Sequence, residues 1–170
     1  ILSDKEEQIL AQAGEVMHTP TQVYGMFNNA DVDFKPAVDK DGKEHELTQG
    51  NYVEMLKSSD RTLRESAYNN LYGEYNKFKN TLSQTLAGVV STHAFSADVR
   101  GYDSSRHQAL SNNHIPESVY DNLVNTVNDN LHLLHRYTEL RKKFLGVDEL
   151  KMYDMYVPLI EDTDFDMTYD

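Results

Sequence analysis

His132, His135 and Glu139 come nearest to a metal centre by residue type and spacing. On an ideal helix they fall within about 60° of one another, so two imidazoles and a carboxylate could share one face. The same geometry sets them roughly opposite Leu133, Tyr137, Leu140 and Phe144. A polar face turned to solvent or to another domain is therefore the stronger reading. The pattern H-E-x-x-H does not occur in the 170 residues, nor does a phosphate-binding glycine loop, a G-x-S-x-G elbow or a C-x-x-C pair. No strong catalytic motif lies inside this sequence.

Weaker constellations read the same way. Asp39-x-Asp41-Gly42 hints at a calcium loop, but Ala37 and Thr48 occupy its first and twelfth ligand positions. Asp162-x-Asp164-x-Asp166 fails as well, with Met167 where glycine is required. Both are expected to be solvated turns. His93 continues an apolar stripe and is expected to be a buried, hydrogen-bonded histidine. His45, His107 and His114 have no partner evident from spacing. Arg61, Arg64 and Glu65 read as helix-surface charge. Arg136, Arg141, Lys142 and Lys143 stand in the last turns before Gly146, where cations complement the helix dipole. Arg136 or Arg141 could also grip a substrate carboxylate bidentately.

Composition narrows the classes. There is no cysteine, which excludes disulfides and thiolate metal sites. Lys+Arg is 16 against Asp+Glu 28, a formal net charge of −12. Such a chain repels phosphate backbones and anionic lipid, so neither nucleic acid nor a membrane surface is an expected partner. No apolar run approaches the ~20 residues of a membrane helix. No signal peptide and no glycosylation sequon is present, so a reducing compartment, most simply the cytoplasm, is expected. The chain opens at Ile1 and ends on Thr168-Tyr169-Asp170, which reads as a segment cut from a longer protein.

The elements that must position these residues are mainly helical. Ser3-Asp4-Lys5-Glu6 is a capping box, and Thr19-Pro20-Thr21-Gln22 starts a second helix with Thr19 as cap, failing at Asn28-Asn29. Val38, the turn Asp39 to Lys43 and Glu44 to Leu47 make a small hairpin, with Gly42 supplying a positive φ. Thr48 caps a short helix. From Asp60, apolar residues spaced by three and four run from Leu63 to His93, predicting one helix of ~35 residues with a break near Gly88. Ser104-Ser105 precedes a short helix, Pro116 opens another with Val119, Leu123 and Val127 on one side, and Gly146 ends the last. Met152 to Val157 lacks a helical period and reads as an extended strand, with Tyr153 and Tyr156 on opposite faces. The expected fold class is mainly α: long amphipathic helices packed as a multi-helix array, with one small β-hairpin and a C-terminal strand.

Several of these stretches occur together in one order: Asn28-Asn29-Ala30-Asp31, Glu46-Leu47-Thr48, the helix from Asp60-Arg61 to Tyr75, and Ile115-Pro116-Glu117-Ser118-Val119-Tyr120. His135-Arg136-Tyr137-x-Glu139-Leu140-Arg141-Lys142-Lys143 follows, then Leu145-Gly146 and Met152-Tyr153-Asp154-Met155-Tyr156-Val157-Pro158-Leu159. Over nearly the whole chain this set resembles bacterial oligoendopeptidase F, of the thimet-oligopeptidase-like zinc peptidases. The resemblance implies a helical, two-lobed zinc enzyme that cleaves short unstructured peptides in the cytoplasm. It further implies that this chain lies upstream of the zinc motif, with residues 1–85 in an N-terminal helper lobe and 86–170 in the first part of the peptidase domain. The rest of that domain would then be its main partner. No catalytic or zinc-binding residue carries over. Asn28, Asn29, Asp31, His135, Arg136, Tyr137, Arg141, Tyr153, Asp154 and Tyr156 match as scaffold or channel-wall positions. From another class, a free-standing acidic helical module that binds a basic or amphipathic partner also fits the composition.

Overall fold

The computed structural model describes residues 2–160. Its elements, in chain order, are α1 (Asp4–Met17), α2 (Thr19–Met26), a π-helical turn (Phe27–Asp31), β1 (Ala37–Val38), β2 (Glu44–His45), α3 (Gln49–Lys57) and α4 (Arg61–Lys77). Then follow α5 (Lys79–Val99), α6 (Ser105–Ser111), α7 (Glu117–Asp129), α8 (Leu131–Leu145) and a 3-10 turn (Met152–Asp154). The described residues are thus mainly α, with one two-stranded antiparallel sheet pairing Ala37 with His45 and Val38 with Glu44. They divide into two compact units interleaved in sequence. One holds residues up to Val32 together with Lys77–Asp129; the other holds Asp33–Asn76 and Asn130 onward. Each unit takes residues from both sides of position 85.

In the first unit, α1 packs on α2, α2 on α5, α5 on α6 and α6 on α7. Ser3 and Glu6 form the expected capping box, with Ser3 N and Oγ donating to Glu6 Oε2 at 2.6 and 2.7 Å. Thr19 is not the cap of α2. His18 flanks both helices and Thr19 is already helical. Nor does the helix fail at Asn28-Asn29. It widens instead into the π-helical turn, closed by Val32 N donating to Phe27 O at 2.9 Å.

The long helix expected from Asp60 breaks at Phe78, ten residues before Gly88. Phe78 leaves helical geometry at φ −105°, ψ 14°, and its ring packs on Phe27 with centroids 4.9 Å apart. Gly88 acts through its size, because a Cβ there would sit 2.8 Å from Pro20 Cγ. The missing side chain therefore lets α2 lie close on α5. His93 is exposed rather than buried, although α5 packs on α2 and α6.

In the second unit the hairpin lies on α4. Ala37, Leu47, Ala67 and Leu71 form the buried core, lined by Phe34, Tyr52, Met55, Leu63 and Tyr75. Val38 N donates to Ser66 Oγ at 2.8 Å and Asn70 Nδ2 to Pro36 O at 2.8 Å, which fixes the hairpin's backbone. Asp39 is indeed a turn residue: its Oδ1 accepts from Asp41 N and Lys43 N, and Gly42 adopts φ +81°. His45 Nε2 lies 2.7 Å from Asp39 Oδ2, a partner that spacing alone did not reveal. Thr48 caps α3 by accepting from Asn51 N at 3.2 Å. Gly146 ends α8 in the left-handed region at φ +62°.

One expectation fails in this unit. Residues 152–157 form no strand. They make a tight 3-10 turn, with Asp154 N donating to Lys151 O at 2.9 Å and Met155 N to Met152 O at 3.2 Å. The Asp162-x-Asp164-x-Asp166 run lies outside the described residues.

Candidate functional site

The most developed polar site in the described residues is built around Asp154. Its carboxylate is fully buried. Oδ1 accepts from Arg61 Nε at 3.1 Å and Arg64 Nη2 at 2.9 Å; Oδ2 accepts from Arg61 Nη2 at 3.0 Å and Lys151 N at 2.9 Å. Arg61 and Arg64 stand three apart at the start of α4 and so share one face. The arginines also hold the backbone of the turn. Arg64 donates to Tyr153 O at 3.2 Å, and to Ser58 O and Ser59 O. Arg141, from α8, donates through Nε and Nη2 to Asp154 O at 3.0 and 2.8 Å, and through Nη2 to Val157 O. Backbone carbonyls that a strand partner would have satisfied are therefore met by guanidinium groups. This explains how residues 152–157 escape the extended state.

Burial alone would raise the Asp154 pKa. The hydrogen bonds from Arg61 and Arg64, with that from the Lys151 N–H, outweigh it and hold the carboxyl at about 2. The group is a fixed anion at any physiological pH. With both oxygens occupied it has no free lone pair aimed at a substrate, so the cluster's chemistry is that of a clamp.

Aromatic rings extend the clamp. Tyr153 is buried, lies under Arg61 at 5.3 Å and meets Tyr68 at 5.8 Å between centroids. Tyr68 stacks on Tyr72 at 4.6 Å, and Tyr72 meets Tyr52 edge-on at 6.4 Å. Burial first, then the neighbouring Tyr72, Tyr68 and Tyr156, push the Tyr52 phenol well above its ordinary range. Tyr156 is 55% exposed.

The structure brings together only part of the sequence-derived set. Arg141, Tyr153 and Asp154 meet at the clamp, and Tyr137 joins through its hydroxyl, which accepts from Arg141 Nη1 at 3.2 Å. His135 and Arg136 lie exposed on α8. Asn28 is half-buried, and Asn29 and Asp31 are exposed in the π-helical turn of the other unit. Arg61 and Arg64, which read from sequence as surface charge, are instead the heart of the clamp. Position 64 sits one turn from Ala67 on the buried side of α4, a signal that the sequence pattern carries only weakly. The exposed side of α8 is also unexpected: Leu133, Tyr137, Leu140 and Phe144 are about half exposed, and its buried residue is Arg141.

No group of three or more histidine or acidic side chains among the described residues could hold a metal ion. His132, His135 and Glu139 share an exposed helix face and are not drawn together into a donor set. A zinc ion does not fit these residues.

Comparison with known proteins decides the family. The profile described as Peptidase family M3 matches residues 54–169, and that described as Oligopeptidase F matches residues 1–34. The chain belongs to peptidase family M3. It is 46% identical over its whole length to oligopeptidase PepF of Bacillus subtilis and 45% identical to group B oligopeptidase PepB of Streptococcus agalactiae. It spans only 25% and 28% of those two proteins. The crystal structure of oligoendopeptidase-F from Enterococcus faecium superposes with a TM-score of 0.91 at 46% identity, over 94% of this chain and 32% of that one. M3 peptidases are metallopeptidases, and the described residues of this M3 chain hold no metal-binding set.

Proposed function

We propose that this chain is a scaffold and channel-wall segment of a zinc metalloendopeptidase that hydrolyses short oligopeptides, and that residues outside it perform the hydrolysis. The single observation that carries the reading is family membership over the whole chain, joined to the lack of a metal-binding set among the described residues. A clamp of two arginines on one buried carboxylate, with a third on the backbone carbonyls behind it, suits a wall that must keep its shape. In this reading Arg141, Tyr153 and Asp154 are scaffold. Asn28, Asn29, Asp31, His135, Arg136, Tyr137 and Tyr156 are surface positions of the wall.

Exposed apolar stripes support a larger covalent context. Val119, Leu123 and Val127 line one side of α7 at 53–60% exposure, and Leu133, Leu140 and Phe144 line α8. Stripes of this size are expected to be covered. The remainder of the peptidase domain is the proposed cover, short unstructured peptides are the proposed substrates, and the cytoplasm is the proposed location. No described helix is long and apolar enough to cross a membrane.

The test is the coding frame that contains this chain. H-E-x-x-H and a later glutamate are expected in that frame, with zinc-dependent cleavage of an internally quenched peptide by its product. A frame that closes without the motif overturns the proposal.

A further inference from the structure

We draw no further inference here: the strongest candidate, the open apolar cleft between α2 and α5 lined by Val23, Met26, Phe27 and Phe78, carries nothing because nothing in the structure shows what covers it.

Discussion

Arg64 Nη2 donates to Asp154 Oδ1 over 2.9 Å, joining two buried charges that lie 90 positions apart in the chain. The start of α4 is thereby tied to the turn that follows α8. The pair is sealed by Arg61 on the other side of the carboxylate and by Arg141 on the backbone behind it.

Removing the anion should cost far more than a surface ion pair does. Asp154→Asn leaves the buried Arg64 guanidinium without its counter-charge and points amide hydrogens at donors. Breaking one partner of a buried pair costs about 3–5 kcal/mol. Urea unfolding of the variant should show a loss of that order. Arg61→Met should cost less, since the Arg61 side chain is 42% exposed. Equal small losses for the two would show that the cluster is not a clamp.

Acid should release the same clamp. Asp154 has a folded pKa of about 2 against an ordinary 3.8, so the unfolded chain binds the proton more readily. Its contribution is complete above the ordinary value and is lost as pH falls from about 4 towards 2. The shift corresponds to about 2 kcal/mol. Asp39 and Asp60 are also depressed and will add acid lability of the same sign. Unfolding curves taken between pH 6 and 2.5 should therefore fall more steeply for the native chain than for Asp154→Asn.

Two glycines should respond oppositely to alanine. At Gly73, inside α4, a Cβ meets nothing within 4 Å. Gly73→Ala should raise stability by up to about 1 kcal/mol through helix propensity. At Gly88 the Cβ would collide with the Pro20 ring, and Gly88→Ala should instead lower stability by about 1–3 kcal/mol. Thermal melting of the two variants side by side checks the contrast.

The apolar stripe of α7 should reveal whether it is covered elsewhere. Leu123 is 60% exposed in this chain, so Leu123→Gln should change its stability by less than about 0.5 kcal/mol. In the whole-frame product the same change should cost about 2 kcal/mol or more if the stripe is buried there. The same small effect in both proteins would argue against a covered stripe.

Local features are legible in the sequence because their causes are local. Gly42, Thr48, Pro116 and Gly146 mark the turn and helix ends that the structure shows, and the Ser3/Glu6 box forms as its spacing requires. The clamp is not legible, because nothing near Arg64 announces a carboxylate 90 residues away. The same blindness makes Met152 to Val157 look like a strand: the guanidinium groups that satisfy its carbonyls come from α4 and α8. The break at Phe78 has no glycine or proline signal either. It falls, like the break at Asn130, where the chain passes from one compact unit to the other. The order of short segments is the stronger guide to family, since an ordered set survives where single positions are ambiguous.

Zinc content tests most directly the proposal that this M3 segment supplies shape and not chemistry. The purified 170-residue chain is equilibrated with zinc and dialysed, beside the product of its whole coding frame, and both are assayed for retained metal and peptide hydrolysis. No retained zinc and no cleavage are expected for the segment, with both present in the longer product. Stoichiometric zinc and chelator-sensitive cleavage by the segment alone would contradict this.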